Sequence, residues 1–139
     1  MQYEKILKKV VDSTSFCVVG NSPIEIGKNL GPKIDSHNSV IRFNDYSLEF
    51  SDDYGIKTDV WVRATNDLVI ETLTQKNSFN HKMIFYRAFN KKNIDSIEFL
   101  KKKGMKYSAF PIYYENKLSS QLGAIPSTGL LFLFILKVN

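Results

Sequence analysis

The sequence predicts an α/β fold of the Rossmann-like kind, a mostly parallel, twisted sheet with flanking helices. Three observations predict it. Short β-branched and aromatic runs recur without clean polar alternation, as in strands buried on both faces. Helix-period stretches separate these runs, and alternating strand and helix is the pattern of βαβ units. The first run ends in Gly20-Asn21-Ser22, and a later Ser127-Thr128-Gly129 turn opens an apolar helix. Both turns present small side chains and backbone N–H groups, and the first falls at the carboxyl end of a strand, where a parallel sheet takes its ligands.

In chain order, Ile6, Leu7, Val10 and Val11 share one face of an opening helix, with Lys5, Lys8 and Lys9 elsewhere. Such a helix packs on a core, although its composition also suits a membrane surface. Strands are predicted at Phe16–Val19, Val40–Phe43, Asp59–Arg63, Met83–Tyr86 and Tyr107–Ile112. Helices are predicted over roughly 24–30, 67–75, 94–103 and 114–122, with a last one starting at Ser127. Asn66 or Asp67 would cap the second of these, and Asn93 or Asp95 the third. Lys101-Lys102-Lys103 before Gly104 reads as a helix end whose lysines complement the dipole, in preference to a nucleic-acid patch.

The chain has 139 residues, 43% hydrophobic and 24% charged, the balance of one globular domain. Its net charge of +5 favours anionic partners but does not choose among nucleotides, acidic glycans, nucleic acid and peripheral contact with an anionic membrane. Cys17 is the single cysteine, so an internal disulfide is excluded, and a small core residue is its expected role. The most apolar stretch, Leu130 to Leu136, is far shorter than the roughly 20 residues that cross a bilayer. With no leader visible, the expected compartment is the cytoplasm, or the Golgi lumen had an anchor been removed. Metal ligation is not expected: His37 and His81 are far apart in sequence, and Asp52-Asp53 is not an Asp-x-Asp diphosphate clamp.

The loop Gly20-Asn21-Ser22-Pro23 has neither the dinucleotide nor the P-loop glycine pattern. It does carry a resemblance. Val18-Val19-Gly20-Asn21-Ser22, Gly31-Pro32, Ile34-Asp35-Ser36-His37 and Arg42-x-Asn44 stand in the order and spacing of the large sialylmotif of the eukaryotic-type sialyltransferases, glycosyltransferase family twenty-nine. Asp53-x-Gly55-x-Lys57-Thr58 is similar to the segment closing that region, and Pro126-Ser127-Thr128-Gly129 to the start of the small sialylmotif. No family landmark lies between Thr58 and Pro126. Pro23 replaces a glycine common in the family, and Ile125 stands where an aromatic residue is frequent.

The resemblance implies inverting transfer of sialic acid from CMP-sialic acid to a glycan acceptor, with no metal and no cofactor. It implies that Asn21, Ser22 and Asn44 bind the CMP part, and that Ser127, Thr128 and Gly129 contact the donor's phosphate or carboxylate. Phe16 occupies the position of a family cysteine that pairs with one in the small motif, and Cys17 follows one residue later. The family's catalytic histidine lies beyond the small motif. The reading is therefore of a C-terminally incomplete domain holding the donor site but not the base, with His37 a structural residue. An isolated chain would expose an apolar patch around its last helix and show no transferase activity. Two other readings stand beside it: a catalytically inert nucleotide-binding module or truncated remnant, and, more weakly, a basic nucleic-acid-binding domain. Dispersed lysines and arginines without a recognition motif disfavour the last, so no nucleic-acid partner is expected.

Overall fold

A computed structural model of the chain describes residues 5, 7–9, 14–64, 81–87 and 94–138. Five strands, β1 (Phe16–Val19), β2 (Ser39–Phe43), β3 (Val60–Arg63), β4 (Met83–Tyr86) and β5 (Tyr107–Ala109), form one sheet in the order 1-2-3-4-5. Every pairing is parallel. Every position of β2, β3 and β4 is buried, which is why their sequences are mostly apolar, broken in β2 by Ser39 and Arg42 and in β3 by Arg63. β1 lies at the edge of the described sheet and is less buried, with Phe16 and Cys17 partly in contact with solvent.

Side chains alternate across each strand, so the sheet has two distinct faces. On one, Ile41, Phe43, Val60, Val62, Met83 and Phe85 form a core with Leu7, Leu118 and residues Leu131, Phe132 and Ile135 of the helix Thr128–Val138. Phe132 closes on Phe43 with ring centroids 6.0 Å apart. On the other face, Trp61 and Ile84 pack with Tyr46 and Leu100. At the amino ends of the strands the buried Asp59 ties three of them together: its carboxylate accepts from Val40 N at 2.8 Å and pairs with Lys82 at 2.8 Å.

The helix Ile94–Lys102 ends as its lysine-glycine signature predicts. Met105 N donates to Leu100 O and Gly104 N to Lys101 O, each at 3.0 Å, while Gly104 takes φ 65°. That is a Schellman stop, sealed by Met105 packing in the cluster that contains Leu100. Elsewhere the elements differ from expectation. Over 24–30 there is a 3-10 turn at Pro23–Glu25 and then a short helix Gly31–Asp35, because Gly27 (φ 86°) and Asn29 (φ 53°) turn the chain left-handed between them. A second short helix, Ser51–Tyr54, carries no helical periodicity in the sequence. β5 stops at Ala109; Pro111, which cannot donate to a ladder, caps the helix Ile112–Leu122 instead. The helix expected over 67–75, with Asn66, Asp67 and the cap candidate Asn93, lies outside the described residues. Among the described residues no helix is long and apolar enough to cross a membrane.

Candidate functional site

Several of the motif residues build a clasp behind the first loop. Asp35 accepts from Lys57 N at 2.9 Å and from Ile56 N at 3.0 Å. Its approach leaves no room at Gly55, where a Cβ would stand 2.2 Å from Asp35 Oδ1 and where φ is +69°. A Cβ on Gly31 would meet Ser51 O at 2.3 Å, so glycine lets the two short helices touch. Lys57 Nζ donates to His37 O, and His37 Nδ1 lies 2.9 Å from Lys33 O and 3.1 Å from Ile34 O. These contacts give His37 a structural role.

The clasp shapes a cleft of about 190 Å³ at the carboxyl ends of β1 and β2. One wall is the loop from Gly20 to Ile26, and the other comes from Arg42, Tyr46, Phe50 and Tyr54. Tyr54 fastens the loop, its hydroxyl donating to Ser22 O at 2.6 Å and accepting from Glu25 N at 3.1 Å. Asp53 holds the next turn through Asn29 N at 2.9 Å, and backbone N–H groups of Gly27, then of Asn29, keep its carboxyl below the usual range. Arg42 crosses the floor, donating through Nε to Lys57 O and Thr58 Oγ1 at 3.0 Å and through Nη2 to Tyr54 O at 2.7 Å. Its guanidinium lies 5.7 Å from the centre of the Tyr46 ring. Burial raises the Tyr46 hydroxyl pKa, and that hydroxyl lies 2.9 Å from His81 Nε2. His81 stacks on Trp61 at 5.5 Å, and burial, opposed by Asp59, lowers its pKa to about 3.

Asn21 and Ser22 line this cleft. The Asn21 amide donates to Phe43 O at 3.0 Å, continuing the β1–β2 ladder by side chain. Asn44, at φ 47°, accepts from Ala64 N through Oδ1 at 2.7 Å and from Trp61 Nε1 through its backbone oxygen at 2.7 Å. Ser127 Oγ accepts from Leu130 N at 3.2 Å, an N-cap, and Thr128 is buried. A Cβ on Gly129 would stand 3.9 Å from the Phe43 ring. The last helix therefore begins against the end of β2, on the face opposite Arg42, while Asn21 and Asn44 sit at that strand's end. Asn44, Ser127, Thr128 and Gly129 are not part of the cleft wall.

Arg42, Tyr46, Phe50 and Tyr54 are cleft residues that sequence reasoning did not place in a site. Arg42 left a signal: it is the one charge in Ser39-Val40-Ile41-Arg42-Phe43, a strand otherwise apolar after its first residue. The three aromatic residues left none, because the stretch 46–54 has no periodicity. Burial raises the Cys17 thiol pKa, which leaves it protonated on a half-buried strand. Among the described residues no three His, Cys, Asp or Glu gather as a metal site.

The family profile described as glycosyltransferase family 29 (sialyltransferase) matches residues 5–82. No curated protein matches the chain in sequence. Among solved structures, a mammalian sialyltransferase superposes with a TM-score of 0.63 at 20% identity, over 97% of this chain and 59% of that one. A mammalian sialyltransferase in complex with Gal-beta-1-3GalNAc-ortho-nitrophenol superposes with a TM-score of 0.62 at 20% identity, over 97% and 60% of the two chains. The chain thus spans about 60% of the length of the solved chains it resembles.

Proposed function

Because the chain belongs to glycosyltransferase family 29, the sialyltransferases, we propose that it carries the donor side of a sialyl transfer site. The donor is CMP-sialic acid and the acceptor a hydroxyl of a glycan. The observation that carries this reading is the overlap of the family match with the cleft, whose every wall residue lies within residues 5–82. A glycan acceptor is supported by the similar sialyltransferase that holds Gal-beta-1-3GalNAc-ortho-nitrophenol.

In this reading Asn21, Ser22 and Asn44 meet the nucleotide at the ends of β1 and β2. Amides suit ribose hydroxyls and phosphate oxygens because each offers a donor and an acceptor without charge. Ser127, Thr128 and Gly129 offer the open N–H groups of an 11-residue helix to the donor's phosphate or carboxylate. The acceptor oxygen attacks the anomeric carbon from the side opposite CMP. The bond from that carbon to the phosphate oxygen breaks, CMP leaves with the electron pair, and configuration inverts. A monophosphate leaving group concentrates less charge than a diphosphate, so helix N–H groups and basic residues suffice without a metal or a cofactor. The acceptor proton goes to a base that this reading does not assign. His37 is tied to the clasp and His81 Nε2 to the Tyr46 hydroxyl, so neither is offered for the role.

Calorimetry with the folded chain tests the reading. CMP is expected to bind while ATP and NAD do not, and absence of CMP binding would count decisively against it.

A further inference from the structure

The turn that leaves β2 is held from behind by two stacked rings. Asn44 turns the chain at φ 47°, and Tyr46 follows two residues later. The Asn44 carbonyl accepts from Trp61 Nε1 at 2.7 Å, and the Tyr46 hydroxyl lies 2.9 Å from His81 Nε2. Those two partners rest on each other: His81 stacks on Trp61 with centroids 5.5 Å apart and planes at 21°. Tyr46 stands nearly perpendicular to both rings, 6.4 Å from Trp61 and 6.3 Å from His81. Its other neighbour is the Arg42 guanidinium, 5.7 Å from the ring centre.

The sheet does not require a histidine at position 81. β4 begins at Met83, and the bonds that start it come from Lys82 N and Met83 N to Asp59 O at 2.8 and 3.2 Å. An apolar ring would fill the space against Trp61 without the cost of taking a polar one out of water. What imidazole adds is a nitrogen for the Tyr46 hydroxyl. Tyr46 is 6% exposed, and a buried hydroxyl left without a partner is costly, so this bond fixes how the ring lies. Both partners are neutral at physiological pH: burial, opposed by Asp59, lowers the His81 pKa to about 3, and burial raises that of Tyr46.

We propose that His81 is a positioning residue for the donor site, setting Asn44 through Trp61 and the Tyr46 ring through its own hydrogen bond. It touches no ligand itself. The proposal rests on the donor reading and adds to it a residue that precedes β4, behind the turn rather than in the cleft wall.

Calorimetry of the full chain and its variants with CMP tests this, in proteins whose urea unfolding stays cooperative. His81→Phe keeps a ring on Trp61 and loses the bond to Tyr46, and it should weaken CMP binding by about fivefold, the worth of one buried hydrogen bond. Tyr46→Phe deletes the bond from the other side and should give a similar loss, with no further loss in the double variant; it decides the matter if His81→Phe does not fold. His81→Gln places an amide where Nε2 stood and should restore most of the affinity. Trp61 is the single tryptophan, so its emission reads this contact directly and should change saturably as CMP engages Asn44. CMP affinity unchanged in both phenylalanine variants, losses that multiply in the double variant, a loss that His81→Gln does not restore, or Trp61 emission indifferent to bound CMP would each overturn the proposal and leave the donor reading intact. Absence of CMP binding by the wild-type chain would instead sink the donor reading, and this proposal with it.

Discussion

Single residues in this chain divide between holding the cleft and facing it, and substitutions separate the two roles. Gly55 holds: with φ +69° and Asp35 Oδ1 2.2 Å from any Cβ, Gly55→Ala should destabilise the fold by about 2–3 kcal/mol in urea unfolding. Asn21 does both. Asn21→Ala should weaken CMP binding by about 1–3 kcal/mol, the usual cost of an unpaired polar partner, and an unchanged affinity would reassign the residue to the ladder alone. His81 sets a pH dependence. Its pKa is about 3 folded against about 6.5 for a free imidazole, so between those values the unfolded chain binds the extra proton. Stability should therefore fall as pH drops from 6.5 toward 3, by at most about 1.4 kcal/mol per pH unit, and the slope should flatten in His81→Phe. An equal slope in the variant would place the titration elsewhere. At this scale the sequence was legible where chemistry demands one residue type, as in the clasp of Asp35, Gly55 and Lys57. It was silent on Tyr46, Phe50 and Tyr54, whose importance comes from a loop folding back over β2.

Elements were readable in proportion to how far their own residues determine them. β1 and β4 match their apolar runs end to end, and β2 and β3 differ by one residue at the start, since a strand buried on both faces has little freedom in composition. The helix Ile94–Lys102 announced both its face and its stop. The stretch 24–30 misled because Ile24, Ile26 and Leu30 suggest a helix while Gly27 and Asn29 adopt positive φ to pass under Asp53. That contact is tertiary, and no local pattern encodes it. At the start of the last helix one variant reads stability and binding separately: Ser127→Ala should cost about 1 kcal/mol through loss of the cap to Leu130 N. If the donor's anion lies there, CMP affinity should fall in the same variant, whereas a stability loss alone would make Ser127 a cap and nothing more.

For the whole molecule, the parallel sheet with helices on its flanks followed from alternation and buried runs, and the structure and the superposed solved chains agree with it. The strand order and the assignment of each helix to a face were not legible, because they depend on which apolar faces meet. The last helix shows the difference. Its sequence is apolar all round, yet Leu131, Phe132 and Ile135 are buried while Leu130, Leu133 and Val138 are exposed. Exposed leucines in a row favour association, so the chain should self-associate in light scattering as its concentration rises, and Leu130→Glu with Leu133→Glu should suppress this. A monodisperse wild-type monomer would refute that expectation. The central claim is that CMP is held where the ends of β1 and β2 meet the start of the last helix, and a crystal structure of the chain with CMP tests it most directly. The account predicts CMP density in contact with Asn21 and Asn44, with an anionic oxygen on the N–H groups of Ser127–Gly129. Density for CMP at any other place, with those residues untouched, would contradict it.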